Sequence, residues 1–335
     1  MYKFNFTTIT PLHISNGEVL EQNFHYTTFQ NIVYKIDLVK FAKLIAKNEK
    51  IDFSSDITAN QFERWVKKYQ INIVDDFSIY SVKVHKTFDF HLNNKRADGK
   101  REIKEFINSN RYFYIPASSV KGAIITVLNK TLFNFSENEN GEAKNIIIKQ
   151  DFLGIKEIKY KGNILVEPSL KRDKFVLYDS NPIDGSKFSV FRFDRPPAQN
   201  LICLDPGVKF TLLLRKEGNL DLELLKNNLT LYSKQQMEKA IKHIQLFERN
   251  KGKETKGSSY FKESLKNLSD HISNLRTNEY LINIGFGGGA YFKLFSDVER
   301  IPKNTKREFI HTSYTLEFDD NRTHIGWCKL EIEEL

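Results

Sequence analysis

Residues 111–133, RYFYIPASSVKGAIITVLNKTLF, join a short strand directly to a helix. The first six residues are rich in aromatic side chains and predict a strand that breaks at Pro116, because proline has no N–H to donate to a sheet. Ser118 and Ser119 follow, and serine is a residue that caps helix N-termini. The helix predicted after these caps is apolar through Ile124, Ile125, Val127 and Leu128.

Strand and helix patterns alternate irregularly on either side of this segment. Residues 2–6 alternate as a strand does, and a hairpin is expected to turn at Gln30-Asn31. Two helices are predicted next, with Asp37 and Thr58 as their N-terminal caps. This irregular order predicts an α+β fold and not a doubly wound sheet.

The second half of the chain mixes strands and helices in the same style. A long strand is predicted in the first half, from Tyr80 to Phe90, and a long helical region in the second half, from about residue 220 to residue 247. We place a domain boundary near residue 170. It separates an N-terminal domain, residues 1–170, from a C-terminal domain, residues 171–335, each with a helical insertion.

The chain carries 51 basic and 42 acidic residues, a formal net charge of +9. This excess permits a polyanionic partner without requiring one, because a solvated basic surface is common. No apolar run reaches signal-peptide or transmembrane length, which predicts a cytoplasmic protein without a membrane partner. Cys203 and Cys328 lie far apart and indicate neither a disulfide framework nor a metal site. We expect no metal and no cofactor.

A glycine-rich loop occupies residues 280–294, YLINIGFGGGAYFKL. Its glycines fit the spacing of a dinucleotide-binding turn, but that turn opens a unit with several further strand–helix pairs. Only residues 291–335 follow, and Pro302 interrupts them. A P-loop is excluded because no Gly-Lys-Ser or Gly-Lys-Thr is present. Two interpretations stay open: a plain turn between strands, or bare amides that approach a phosphate chain.

Two patterns of catalytic residue types have simpler explanations. Ser118 and Lys121 have the spacing of a serine nucleophile and its lysine, but the companion tripeptides Ser-Asp-Asn and Lys-Thr-Gly are absent. The eight histidines are scattered and form no zinc-binding pattern. His13 and His25 stay open as acid–base groups acting on RNA.

Three segments in a fixed order resemble one family. TPLHISNGE (residues 10–18), YIPASSVKGAI (114–124) and IGFGGGAYFK (284–293) resemble the signature segments of the RAMP superfamily, the RNA-binding proteins of CRISPR effector complexes. The central segment is the most specific of the three. The chain length and KFVLYDSNPI (174–183) add a resemblance to the family of subunit five of the type III-A effector, the Csm complex.

The resemblance implies a fold, partners and a function. It implies RRM-like (ferredoxin-like) domains with helical insertions, and a subunit that caps the backbone filament at the 3′ end of the crRNA and supports crRNA maturation in antiviral defense. The implied partners are crRNA, neighbouring Csm backbone subunits and host trimming nucleases. The backbone subunit that cleaves target RNA carries an aspartate after its N-terminal motif, whereas residues 18–30, EVLEQNFHYTTFQ, hold none. We therefore expect a non-catalytic protein, with no catalytic residue.

An alternative within the same superfamily is a metal-independent endoribonuclease that processes precursor crRNA, with His13 or His25 as general acid or base. The glycine-rich loop does not discriminate between the two functions, because such enzymes share it. The helix predicted at residues 37–47, where a processing histidine often lies, contains none. Residues 116–122 also favour the effector backbone.

Sequence-independent RNA binding needs groups that hold phosphates and leave base edges free. A helix N-terminus supplies unsatisfied N–H groups and partial positive charge, and glycines let the backbone approach closely. The predicted RNA-binding residues are His13, Lys95, Arg96, Arg101, Ser118, Ser119, Lys121, Arg192, Gly285, Gly287, Gly288, Gly289 and Lys293.

Overall fold

The structure is a computed structural model that describes most of the chain. The described residues are 1–48, 58–86, 102–109, 111–137, 143–148, 175–193, 199–216, 222–223, 225–234, 237, 241, 256–285, 315–318 and 321–335.

The strands and helices follow one another in an irregular order along the described residues. The strands are β1 (Tyr2–Thr8), β2 (Ser15–Glu21), β3 (Tyr26–Phe29), β4 (Ile32–Ile36), β5 (Ser78–Val84), β6 (Glu102–Phe106), β7 (Asn108–Ser109), β8 (Tyr112–Phe113), β9 (Phe133–Glu137), β10 (Ala143–Ile148), β11 (Phe175–Leu177), β12 (Phe188–Phe193), β13 (Gln199–Leu204), β14 (Lys209–Lys216), β15 (Glu279–Asn283), β16 (Thr315–Phe318), β17 (Asn321–His324) and β18 (Trp327–Glu334). The helices are α1 (Leu38–Asn48), α2 (Ala59–Lys68), α3 (Ile73–Phe77), α4 (Ala117–Leu132) and α5 (Lys256–Ser273), and residues 225–234 are also helical.

The chain folds into two compact units that interleave along the sequence. The first unit comprises Met1–Leu12, Ile115–Asn181 and Lys209–Leu335, and the second comprises His13–Tyr114 and Pro182–Val208. Residue 170 lies outside the described residues, and the domain division proposed there stays a prediction.

The first unit contains a five-stranded antiparallel sheet. Its strand order is β11-β14-β1-β18-β15, so the first and last described strands of the chain pair at its centre. In β1, Phe4 and Phe6 are buried, and the Phe6 ring stacks 4.9 Å from the Phe210 ring. Trp327 at the start of β18 is also buried, and its backbone N–H donates to Thr10 Oγ1 at 2.9 Å. Because successive side chains of a strand point to opposite faces, Phe4 and Phe6 lie on the same face of the sheet, and this face packs on the core.

The second unit contains a mixed seven-stranded sheet in the order β2-β6-β13-β12-β5-β4-β3. β5 and β6 are three strand spacings apart, roughly 14 Å in a flat sheet. The Tyr80 hydroxyl on β5 nevertheless donates to Glu105 Oε1 on β6 at 2.5 Å. This contact requires the sheet to curl until its strands face one another. Aromatic rings fill the curl, with the Phe113 and Phe188 centroids 4.2 Å apart.

Local sequence signals placed three features of the second unit correctly. Asp37 Oδ1 accepts the Lys40 N–H at 2.8 Å at the start of α1, and Thr58 forms a capping box at the start of α2. The β3–β4 hairpin turns at Gln30 and Asn31, whose φ angles of 48° and 58° suit a tight hairpin turn. Helices α1 to α3 then share an apolar cluster that includes Phe41, Phe62, Trp65 and Phe77.

The predicted α+β class is confirmed, and the mixture of helices and curled sheets agrees with ferredoxin-like domains. The strand predicted from Tyr80 to Phe90 corresponds to β5, which ends at Val84; residues 87–90 lie outside the described residues. No described helix is long and apolar enough to cross a membrane.

Candidate nucleic-acid interface

The start of α4 carries three of the predicted RNA-binding residues, Ser118, Ser119 and Lys121. The helix begins at Ala117, whose N–H donates to Asp179 Oδ1 at 2.7 Å. The Ser119 N–H donates to the Pro116 carbonyl at 3.0 Å. The prediction that Ser118 and Ser119 cap the helix is wrong, because the helix starts one residue before them and a distant carboxylate takes the capping role. Ser118 is exposed.

Two backbone segments of the first unit hold this helix end in place. The Ile115 N–H donates to Ser180 Oγ at 2.8 Å, and the Ser180 N–H donates to the Ile115 carbonyl at 3.0 Å. The residue preceding Ser180 is Asp179, so the paired backbones fix its carboxylate at the start of α4. A carboxylate at a helix N-terminus is favourable because the terminus carries partial positive charge.

Lys121 lies in the same first turns but is directed towards β11. Its ammonium donates to the Phe175 carbonyl at 3.2 Å and lies 4.7 Å from the centre of the Phe175 ring. The aliphatic stem is thereby held against the protein while the side chain stays partly exposed. The helix end therefore combines one carboxylate, one cation and the exposed Ser118 within a short stretch of surface, while the N–H groups of Ala117, Ser119 and Val120 donate within the protein.

His13 lies in the interior of the second unit, with no exposed surface. Its Nδ1 is 2.7 Å from the Ile202 carbonyl, and burial lowers the pKa of the ring to about 4. The ring is consequently neutral at physiological pH. This position favours neither direct RNA contact nor acid–base catalysis, because both need access to the substrate.

A buried carboxylate, Glu105, lies in the same unit, and no signal in the sequence indicated it. It accepts hydrogen bonds from the Tyr80 hydroxyl at 2.5 Å and from Asn16 Nδ2 at 2.7 Å, and forms an ion pair with Lys35. Burial raises the pKa of Glu105, but the bonds from Lys35, Tyr80 and Asn16 outweigh burial and leave the pKa below its ordinary value. The network joins the start of β2 to β4, β5 and β6.

His25, the other candidate acid–base group, is half-buried in the β2–β3 connection. Its Nδ1 accepts the Glu21 N–H at 3.2 Å, and its ring meets the Phe24 ring edge-on at 4.6 Å. Burial lowers the pKa of His25. These contacts describe a histidine that stabilises a turn.

The base of the glycine-rich loop is well defined in the first unit. Gly285 has a φ of 74°, a left-handed conformation that favours glycine. Immediately before it, the Ile284 N–H donates to the Gly326 carbonyl at 2.7 Å, and the Gly326 N–H donates to the Pro11 carbonyl at 2.8 Å. Gly326 itself has no room for a Cβ, which would meet the Ile284 carbonyl oxygen. The loop therefore leaves the sheet from a fixed point.

Of the other predicted RNA-binding residues, the structure describes Arg192. Arg192 lies on β12, paired with Asn200 on β13, and is partly buried. The remaining predicted residues lie outside the described residues: Lys95, Arg96, Arg101, Gly287, Gly288, Gly289 and Lys293.

The fold and these segments agree with a match to a protein family. The RAMP superfamily matches residues 5–323, and the chain belongs to this superfamily. Its relatives include the CRISPR system Cms protein Csm5 of Methanocaldococcus jannaschii, which is 24% identical over 384 aligned residues. That alignment covers 97% of this chain and 88% of the relative.

Two solved structures share the fold over nearly the whole chain. The crystal structure of T. onnurineus Csm5 is 13% identical with a TM-score of 0.57, and the match covers 97% of this chain and 99% of that one. A chain of the cryo-EM structure of a Csm–crRNA–target RNA ternary complex from a type III-A CRISPR-Cas system is 15% identical, with a TM-score of 0.61. That match covers 99% of this chain and 100% of the other.

Proposed function

We propose that this chain is a crRNA-binding subunit of a type III-A CRISPR effector complex, with the role of Csm5 in capping the backbone filament at the 3′ end of the crRNA. The observation that carries the proposal is similarity over nearly the whole length, to a curated Csm5 and to a chain of a Csm–crRNA–target RNA complex. Full-length similarity matters because a shared RRM-like domain alone would fit many functions.

The first turn of α4 supports RNA binding through the phosphate backbone. The exposed Ser118 and the adjacent Lys121 are groups that hold phosphates without reading bases. The fixed start of the glycine-rich loop at Gly285 supports a second contact of the same kind. Such contacts leave base edges free to pair with a target.

The subunit binds RNA without cutting it. Residues 18–30 contain no aspartate, and they form the end of β2 and all of β3. The buried His13 and the turn-stabilising His25 offer no support for the alternative of a processing endoribonuclease. The proposed partners are crRNA and neighbouring Csm backbone subunits in the cytoplasm, and host nucleases that trim the 3′ end.

The proposal is tested by assembling the effector complex with and without this chain and sequencing the bound crRNA. We expect 5′ ends to be unchanged and the distribution of 3′ ends to change when the chain is absent. Identical 3′ ends in both preparations would contradict the capping role.

The non-catalytic part is tested separately with pure protein and labelled repeat RNA in EDTA. We expect intact RNA after prolonged incubation. Cleavage at one site, abolished in a His25→Ala variant, would instead establish the endoribonuclease.

A further inference from the structure

A cavity of about 830 Å³ with polar and apolar walls lies within the first unit. It is lined by residues from the helical segment 225–234, from the end of α5 and the turn after it, and from β15 and β18. This volume lies in the range of small-ligand sites.

The helical segment turns a continuous polar stripe towards the cavity. Lys226, Asn227, Thr230 and Lys234 line it, at a spacing that puts them on one face of a helix. The opposite face buries Leu225, Leu229 and Tyr232 in the core. Because the core fixes the rotation of this helix, the polar stripe is held facing the cavity.

The cations of the cavity exceed what its carboxylates neutralise. Lys226 pairs with the exposed Glu223 at 2.7 Å, and Glu279 is already paired with Lys329 at 2.5 Å. Arg276 is 87% exposed at the rim, and its Nε is 4.0 Å from Glu279. Lys234 is exposed and forms no ion pair with any described residue. Lys234, and the exposed Arg276 at the outer limit of ion-pair distance from Glu279, can therefore both reach an anionic ligand.

The remaining walls of the cavity are apolar. Ile272 and Leu275 come from the end of α5 and the turn, and Ile332 comes from β18. Tyr280 on β15 adds an aromatic side chain to the lining. Cations and amide or hydroxyl groups on one set of elements, with apolar side chains on another, match a ligand that joins a phosphate to an apolar base. An acidic peptide would use the cations and leave the apolar walls uncovered.

We infer that this cavity binds a nucleoside monophosphate unit, with Lys234 and Arg276 on the phosphate and the apolar wall against the base. The unit has two sources: a nucleotide of the RNA chain, in which case the inference rests on the proposed function, or a free nucleotide.

The experiment measures binding of adenosine monophosphate to the full-length chain by calorimetry. Lys234→Glu with Arg276→Glu removes the cations, and Thr230→Trp fills the cavity without changing the charge. Each variant should weaken binding by on the order of tenfold or more, because charge-assisted bonds or space for the ligand are removed. Lys209→Glu with Lys216→Glu on β14 makes the same change in net charge away from the cavity and should have no effect.

Three outcomes would overturn the inference: no saturable binding of adenosine monophosphate, equal binding by all variants, or preferential binding of a polyglutamate peptide. Melting curves of each variant identify any loss of folding, and the Thr230→Trp variant keeps the test decisive if charge reversal unfolds the chain.

Competition with single-stranded RNA identifies the source of the nucleotide. Displacement of adenosine monophosphate by RNA supports the cavity as an RNA contact, and binding without displacement supports a free nucleotide. The two proposals can be contradicted independently. Normal crRNA 3′ ends without this chain would contradict the capping role but not nucleotide binding in the cavity. Unchanged nucleotide binding in the variants would contradict only nucleotide binding in the cavity.

Discussion

The segment that begins at His13 and the first turn of α4 are both rich in polar side chains, yet they face different surroundings. In the second unit, His13 binds the Ile202 carbonyl in the interior, and Asn16 binds the buried carboxylate of Glu105. In the first unit, Ser118 is exposed at a helix start whose leading N–H is held by Asp179.

The difference concerns what each polar group can still do. A buried polar group forms its hydrogen bonds with other groups of the protein, so its removal changes the free energy of unfolding. An exposed polar side chain at a helix start, such as that of Ser118, is available to a ligand, so its alteration changes binding. Substitutions near His13 should therefore alter stability without altering RNA contacts, and those at α4 should alter RNA contacts with only a small change in stability.

The largest effect is expected for Glu105→Leu. The variant leaves the Lys35 ammonium without its carboxylate and the Tyr80 hydroxyl without its acceptor, and should lower the free energy of unfolding by about 3 kcal/mol. Urea denaturation measures it. Glu279→Leu is the matched control, because its partner Lys329 can turn to Glu331, 3.5 Å away; equal losses of stability in the two variants would break the comparison.

A pH effect of similar size is expected for His13. Burial lowers the pKa of His13 to about 4 in the folded chain, whereas the ordinary pKa of histidine, about 6.5, applies in the unfolded chain. Between these two values the unfolded chain binds a proton at this ring and the folded chain does not. Stability is complete above pH 6.5 and falls as the pH drops towards 4, by about 3 kcal/mol in total. Denaturation at pH 7 and pH 5 measures the decrease, which His13→Gln should reduce. An identical pH dependence in the variant would show that His13 is not the buried titrating group.

An intermediate effect on RNA binding is expected when Lys121, Arg96 and Arg101 are all changed to Gln. The affinity should fall. The slope of log affinity against log salt concentration should become shallower by roughly 0.7 for each phosphate that the variant no longer neutralises. Titrations of labelled crRNA at several salt concentrations measure the slope. Changing Lys3, Lys209 and Lys216 to Gln makes the same charge change on β1 and β14 of the five-stranded sheet. A slope equal to that of this control would count against the predicted RNA-binding residues.

The smallest effect is expected for Asp179→Asn. The amide keeps an acceptor for the Ala117 N–H but removes the negative charge at the start of α4, so RNA affinity should rise a few-fold while stability falls by about 0.5 kcal/mol. Anisotropy titrations and melting curves measure the two quantities. Asp184→Asn, on a capping aspartate of the second unit, is the control. Unchanged affinity for Asp179→Asn would remove phosphate binding from this helix end.

The features that sequence predicted correctly depend on neighbours in the chain. Asp37 and Thr58 cap helices through residues three positions away, and the turn at Gln30 and Asn31 uses the tolerance of asparagine for positive φ at Asn31. The capping of α4 was predicted wrongly because Asp179 lies 62 residues from Ala117. No local pattern marks a partner at that distance.

The sequence by itself determined the α+β class, the local caps and turns, and the signature segments that mark a RAMP protein, because each depends on short-range preferences or on residue order. Tertiary structure alone decided that His13 is interior, that Glu105 is charged inside a curled sheet, and that a polar cavity faces Lys234. The physical reason is that burial and charge depend on strands and helices brought together from distant parts of the chain.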